Sequence, residues 1–202
     1  MDRWLRQLPN AITSIRILLV VPVAMAIAHD RPVETLWLFA IAAATDGIDG
    51  FLAKRFGWQT DVGGVLDPAA DKLLLATVFI MLSLRGSVPV WLTAAVISRD
   101  CIIMLGAAAY RMVLGRVIAR PSRVSKLNTL CQVIFVLVVV GTPLFSWPLA
   151  WRTFLGALVF VTVAVSGVDY VLVYSRLAAE HARSRRKALR AGGRPPRGSK
   201  PV

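Results

Sequence analysis

Six long apolar segments constrain this chain more than any other feature. They run over residues 10–28, 34–56, 67–85, 89–114, 124–147 and 150–176, and short links bearing Pro or Gly separate them. A helix of roughly 20 apolar residues, rising 1.5 Å per residue, crosses the ~30 Å hydrocarbon core of a bilayer. The sequence therefore predicts an all-α integral membrane protein with six transmembrane helices.

Charge divides the chain into two regions. The protein carries 24 Lys and Arg against 11 Asp and Glu, a net charge of +13, and nine of the basic residues lie in 176–202. Nucleic-acid-binding proteins can be this basic but are strongly polar, whereas 56% of these residues are hydrophobic, so we expect no nucleic-acid partner. We predict a membrane domain over 1–177 and a disordered basic cytoplasmic tail over 178–202.

The positions of the basic residues predict the orientation in the membrane. They concentrate at the N-terminus, in the second link (Lys54, Arg55), over 111–126 and in the tail. Short loops rich in Lys and Arg stay on the cytoplasmic side. Both termini are therefore predicted to be cytoplasmic, in a multi-pass protein of the plasma or inner membrane.

Four carboxylates inside these apolar segments need a function. A charged side chain at a helix centre costs ~2.5–3.5 kcal/mol on insertion scales, so such residues are rarely left unpaired. They follow helical spacing on two consecutive segments, together with small residues and one cation. The first face holds Asp46, Asp49, Gly50, Ala53 and Lys54, and the second holds Gly63, Asp67 and Asp71.

An all-oxygen ligand set suits Mg²⁺, Mn²⁺ or Ca²⁺. Four negative charges also balance two divalent cations, which favours a two-metal site that clamps phosphate oxygens. Other interpretations remain open at this point. Asp67-Pro68 is also typical of a helix start, and Asp71-Lys72 of a local charge pair. Intramembrane carboxylates also occur in small ion-binding transporters.

The order and spacing of these residues match a known family. The pattern Asp46-x-x-Asp49-Gly50-x-x-Ala53-Lys54, eight residues, then Gly63-x-x-x-Asp67-x-x-x-Asp71 resembles the signature of the CDP-alcohol phosphatidyltransferases, with Lys54 where the family has Arg. The resemblance implies the fold of that family and a homodimeric membrane enzyme whose active site faces the cytoplasm. Such an enzyme transfers a phosphatidyl group from CDP-diacylglycerol to an alcohol and releases CMP.

The resemblance also implies roles for individual residues. Asp46, Asp49, Asp67 and Asp71 would bind two divalent cations, Mg²⁺ or Mn²⁺, and Asp71 would in addition be the general base for the acceptor hydroxyl. Four further positions would line the CDP site: Gly50, Ala53, Lys54 and Gly63.

Three cations in apolar segments, Arg16, Arg99 and Lys126, have two possible roles: pairing with the carboxylates, or binding a phosphate on the acceptor. Asn10-x-x-Thr13-x-x-Arg16 resembles the glycerophosphate branch of the family. Two stretches, Ser98-Arg99-Asp100 and Ser125-Lys126-Leu127-Asn128-Thr129-x-x-Gln132, resemble CMP-forming cardiolipin synthases. We therefore expect a glycerol-phosphate-type acceptor, with phosphatidylglycerol favoured slightly. The alternative acceptor is glycerol 3-phosphate, which would give phosphatidylglycerophosphate.

Overall fold

A computed structural model describes the backbone of residues 8–56, 63–114 and 123–190, and the side chains over 15–45, 72–106 and 124–172. The described residues form six helices, as the apolar segments predict. These are α1 (Leu8–Ala28), α2 (Pro32–Phe56), α3 (Gly63–Leu84), α4 (Val90–Leu114), α5 (Arg123–Phe145) and α6 (Leu149–Arg190). The prediction of an all-α fold is confirmed.

Two helix boundaries differ from the prediction. Helix α3 begins at Gly63 rather than near residue 67, so Asp67 lies on its second turn and the alternative in which Asp67-Pro68 starts the helix is wrong. Helix α6 is 42 residues long and ends at Arg190, so the structure differs from the predicted disorder over 178–190. The reason is composition, because Ala, Leu, Arg and Lys dominate this stretch and are strong helix formers. Residues 191–202 lie outside the described residues.

Three short turns lie together at one end of the bundle, which we call the turn end. They cover residues 29–31, 85–89 and 146–148, and each contains one residue in the left-handed region: Asp30, Gly86 and Ser146, at φ 56°, 69° and 51°. A 2.7 Å ion pair between Asp30 Oδ1 and Arg85 Nη2 joins the end of α1 to the end of α3. These two helices therefore run parallel, and their N-terminal ends lie at the opposite end of the bundle.

That opposite end, which we call the signature end, brings together the starts of α1, α3 and α5 and the later parts of α2, α4 and α6. Helix α1 packs against α2 and α3, α5 packs against α2, α3 and α6, and α4 packs against α3 and α6. In the described part of the chain, α1 and α5 thus each pack against both α2 and α3. The two stretches that carry the signature, 46–54 on α2 and 63–71 on α3, belong to this end of the bundle.

A continuous apolar core fills the middle of the bundle. Phe79 of α3 and Phe135 of α5 stack at its centre, with ring centroids 5.9 Å apart. Other fully buried members come from α1, α2, α4 and α6: Val23, Phe39, Leu92 and Val159. The core separates the turn end from the signature end, so the polar groups at each end form separate sets.

The outer surface is also apolar. Large side chains such as Leu18, Leu105 and Val90 are more than two-thirds exposed, as expected for residues that face lipid rather than water. Within the described residues, two stretches are long and apolar enough to cross a membrane, Val124–Phe145 and Leu149–Leu172, and three shorter apolar helices accompany them.

Candidate active site

The residues of the signature lie on α2 and α3, in stretches that belong to the same end of the bundle. Asp46, Asp49, Gly50, Ala53 and Lys54 occupy helical positions of α2, and Gly63, Asp67 and Asp71 occupy helical positions of α3. At a helical spacing of 3.6 residues per turn, each group shares one face of its helix. Their side chains lie outside the described residues, so the roles assigned to them stay predictions.

Directly after Asp71, the structure describes a cluster of three charges, Lys72, Arg99 and Asp100, which we call the buried charge cluster. Arg99 and Asp100 are buried, and the Lys72 side chain is partly buried. The Nζ atom of Lys72 on α3 lies 2.9 Å from both carboxylate oxygens of Asp100 on α4. Arg99 Nη1 donates to Asp100 Oδ1 at 2.6 Å. The cluster therefore contains two cations and one carboxylate, and it retains one positive charge next to the signature stretch of α3.

Arg99 joins three helices through its guanidinium group. The residue is 4% exposed, and its Nη2 atom donates to Ser125 Oγ on α5 at 3.0 Å and to Ser166 Oγ on α6. Arg99 thus has three hydrogen-bonded partners, Asp100, Ser125 and Ser166, as expected because a buried cation is costly unless it is paired. Arg99 therefore pairs with Asp100. The two roles predicted for it, pairing with the signature carboxylates and binding an acceptor phosphate, stay predictions.

Helix α5 adds further buried polar side chains to those around Arg99, at positions deeper in the bundle. Asn128 and Gln132 follow Ser125 at helical spacing, and both are fully buried. Thr162 Oγ1 of α6 donates to Asn128 Oδ1 at 3.0 Å. Nδ2 of Asn128 and both terminal atoms of Gln132 have no hydrogen-bond partner. Buried polar atoms without partners are rare in proteins, so these amides point to a site that accepts a polar ligand.

The other two predicted phosphate-binding cations lie in different surroundings. Arg16 is 2% exposed in α1, as expected for a cation that faces the bundle interior. Lys126 is exposed on α5, because its position is rotated by about 100° from Ser125 around a helix of 3.6 residues per turn. The structure thus places Arg99 among the polar groups of the bundle interior and leaves Lys126 at the surface.

Comparison with known proteins decides the family. The family model described as CDP-alcohol phosphatidyltransferase matches residues 6–168. This chain belongs to the CDP-alcohol phosphatidyltransferase family. The match covers α1 to α5 and the first part of α6, so it includes both signature stretches, the buried charge cluster and the buried amides.

Named relatives of this phosphatidyltransferase come from two groups. It is 33% identical to a probable phosphatidylglycerophosphate synthase of Mycobacterium tuberculosis over 81% of this chain and 79% of that protein. It is 36% identical to a CDP-diacylglycerol–glycerol-3-phosphate 3-phosphatidyltransferase of Bacillus subtilis over 81% of this chain and 92% of that protein. A CMP-forming cardiolipin synthase of Rattus norvegicus is 32% identical over 69% of this chain and 52% of its own length.

Family membership decides several of the open alternatives. The protein is an enzyme, a CDP-alcohol phosphatidyltransferase of phospholipid biosynthesis, rather than an ion-binding transporter. The family is membrane-bound and uses divalent metal ions. The donor chemistry fits such ions, because the four signature positions are all carboxylates and oxygen ligands are the ones Mg²⁺ and Mn²⁺ take. Within the described side chains, no other group of three or more metal-binding residues occurs.

Sequence reasoning missed part of this site. It considered Lys72 only in an alternative interpretation, as a local partner of Asp71, and did not foresee that Lys72 binds Asp100 across the α3–α4 contact. It assigned nothing to Thr162 and Ser166 of α6, which contact Asn128 and Arg99. One signal was available, because Thr162 and Ser166 are four residues apart and share a helix face. Hydroxyl residues are common in apolar helices, however, and the pattern does not name their partners.

Proposed function

We propose that this phosphatidyltransferase transfers the phosphatidyl group of CDP-diacylglycerol to the primary hydroxyl of a glycerol-phosphate unit and releases CMP. The observation that carries the proposal is the buried charge cluster, which retains a positive charge beside the signature stretch of α3. An anionic acceptor is attracted by that charge, whereas a neutral alcohol is not. The names of the relatives support the same acceptor class.

The reaction requires one proton transfer and one displacement at phosphorus. The acceptor hydroxyl loses its proton to Asp71, and its oxygen forms a bond to the phosphorus of the phosphatidyl group. The bond from that phosphorus to the CMP oxygen breaks, and CMP leaves with the electron pair. Asp71 directly precedes Lys72, so the proposed base lies next to the cluster that would attract the acceptor.

Asp46, Asp49, Asp67 and Asp71 would hold two divalent cations, Mg²⁺ or Mn²⁺. Such ions neutralise the charge that develops on phosphate oxygens. Gly50, Ala53 and Gly63 lack bulk, which leaves room for the cytidine nucleotide against the helix backbone. Lys54 would contact a phosphate as a point charge, because Lys cannot form the bidentate contact that Arg makes.

The membrane arrangement belongs to the same proposal. All six helices would span the bilayer of the plasma or inner membrane, with both termini and the active site on the cytoplasmic side. Basic residues near the signature end support this orientation. We also propose that the enzyme acts as a homodimer and that the basic residues within 191–202 are attracted to anionic lipid.

Two acceptors satisfy the proposal, and a different observation favours each. Asn128 favours phosphatidylglycerol as the acceptor. Glycerol 3-phosphate is a soluble dianion and would be bound better by an additional cation, whereas position 128 carries a neutral amide. Glycerol 3-phosphate is favoured by the relatives that this chain covers over most of their length, since two of them carry names of phosphatidylglycerophosphate-forming enzymes. Both acceptors present the same glycerol-phosphate unit.

An acceptor panel tests the function and separates the two acceptors. Purified protein in detergent is given CDP-diacylglycerol and Mg²⁺ or Mn²⁺ with glycerol 3-phosphate, phosphatidylglycerol, inositol phosphate or serine, and lipid products are identified by mass. We expect CMP with phosphatidylglycerophosphate or cardiolipin, and no product after chelation of the metal. Products from serine or inositol phosphate alone would contradict the proposal.

A further inference from the structure

Two buried amides beneath the charge cluster lack the partners that buried amides normally have. Gln132 and Asn128 are both fully buried. Neither Nε2 nor Oε1 of Gln132 makes a hydrogen bond, and Nδ2 of Asn128 makes none. These atoms supply donors and an acceptor in one small region of α5. A group that both donates and accepts hydrogen bonds would satisfy them, and an alcohol hydroxyl is such a group.

The position of the amides relates them to the acceptor. Ser125, Asn128 and Gln132 lie at i, i+3 and i+7 on one face of α5, and Ser125 binds the guanidinium of Arg99. A rise of 1.5 Å per residue places Asn128 ~4.5 Å and Gln132 ~10.5 Å beyond Ser125 along the helix. Helical side chains lean towards the N-terminus of their helix, so the Gln132 amide extends back towards Asn128 and the charge cluster.

We propose that Gln132 and Asn128 bind the secondary hydroxyl of the acceptor's glycerol unit and so determine acceptor specificity. The inference rests on the proposed function, in which the acceptor carries a phosphate, a secondary hydroxyl and the reacting primary hydroxyl on three successive carbons. Gln132 Oε1 accepts from the secondary hydroxyl, and the free amide N–H groups donate to it. Thr162 is a positioning residue, because its hydroxyl holds Asn128 Oδ1 and leaves Nδ2 directed to the ligand.

The test compares two acceptors that differ only in this hydroxyl. The pair is glycerol 3-phosphate and 3-hydroxypropyl phosphate, or, if the enzyme uses phosphatidylglycerol, that lipid and its analogue with a propane-1,3-diol headgroup. We expect wild-type kcat/KM to favour the acceptor with the secondary hydroxyl by about tenfold or more, because its absence leaves buried amides unpaired. Gln132→Met, which keeps the volume and removes the amide, should reduce that preference to about twofold or less.

The ratio of two kcat/KM values in one preparation does not depend on the fraction of active protein, so loss of folded enzyme cannot imitate the effect. Thr93→Val is the matched control, because Thr93 is buried and donates to the Phe79 carbonyl on the far side of the core. It should keep the full preference. An unchanged ratio in Gln132→Met, or equal use of both acceptors by wild type, would show that the amides only hold internal water and would overturn the inference. Absence of CMP release with every glycerol-phosphate acceptor would instead defeat the proposed function.

Discussion

The two ends of the bundle use charged residues in opposite ways. At the turn end, the ion pairs Arg31–Glu34 and Asp30–Arg85 join exposed side chains, and that of Asp30 is 78% exposed. At the signature end, Lys72, Arg99 and Asp100 interact inside the bundle, and the Asp100 side chain is only 11% exposed. The same types of residue thus lie in water-accessible positions at one end and in a low-dielectric interior at the other.

This difference separates structural from functional charge. Exposed ion pairs contribute about 0–1 kcal/mol to stability and can be exchanged at little cost. Buried ones are often no more stabilising than well-packed apolar residues of the same volume. A chain that retains the buried Arg99 and Asp100 and the partly buried Lys72 in an apolar bundle therefore gains something other than stability from them. The gain that we propose is the attraction of an anionic acceptor.

The largest effect is expected from Asp71, the proposed base beside the buried cluster. Asp71→Asn removes the proton acceptor and one metal ligand while preserving size. A positioned general base contributes about 10²–10⁴-fold to a rate, so kcat for CMP release should fall by at least that range. The measurement is CMP formation from CDP-diacylglycerol at saturating metal and acceptor.

Asp30→Asn at the turn end is the control for this experiment. It removes a carboxylate from an exposed position, and Asn tolerates the left-handed backbone that residue 30 adopts. We expect its kcat to equal that of wild type. Abundant metal-dependent product from Asp71→Asn would show that another group takes the proton.

A second comparison concerns stability rather than rate. Asp100→Asn leaves the buried Arg99 and the partly buried Lys72 without their shared counter-charge, and breaking a buried pair such as Arg99–Asp100 costs about 3–5 kcal/mol. Asp30→Asn breaks only the exposed contact with Arg85 and should cost less than about 1 kcal/mol. The free energy of unfolding in mixed detergent micelles measures both.

The double variant Asp100→Asn/Lys72→Met identifies the cause. It removes one of the two unbalanced cations, so it should be more stable than Asp100→Asn alone. Equal losses from Asp100→Asn and Asp30→Asn would remove the distinction between the two ends, and a double variant less stable than Asp100→Asn would exclude charge imbalance as the cause.

The fold could be read from the sequence because one physical rule dominates it. Segments of sufficient apolar length form helices in a bilayer, and Pro- or Gly-bearing links mark their ends. The rule does not predict helix boundaries that lie outside the apolar segments. Helix α6 continues to Arg190 through charged residues, since helix propensity does not require hydrophobicity. Helix α3 begins at Gly63, where a glycine gives no indication of a helix start.

The candidate site was predictable only in part. Spacing along one helix identifies residues that share a face, as it did for Asp46 with Asp49 and for Asp67 with Asp71. Pairing between helices depends on their relative rotation, which a single sequence does not contain. Lys72 therefore binds Asp100 of α4, although its nearest carboxylate along the chain is Asp71.

The smallest predicted effect concerns how α4 and α6 approach each other at the signature end. A Cβ atom at Gly106 would collide with the Tyr170 hydroxyl and lie 3.0 Å from ring atom Cε1, whereas one at Gly167 would meet nothing within 4 Å. Gly106→Ala must displace Tyr170, whose hydroxyl donates to the Ile103 carbonyl at 2.8 Å. Overpacking of this kind costs about 1–3 kcal/mol. Gly167→Ala should instead stabilise α6 by up to ~1 kcal/mol through helix propensity.

The free energies of unfolding of the two variants in mixed micelles test this prediction. Adding Tyr170→Phe to Gly106→Ala should recover part of the lost stability. If both alanines stabilise equally, contact with Tyr170 does not set the separation of α4 and α6, and the cluster around Arg99 must be held by its polar contacts alone.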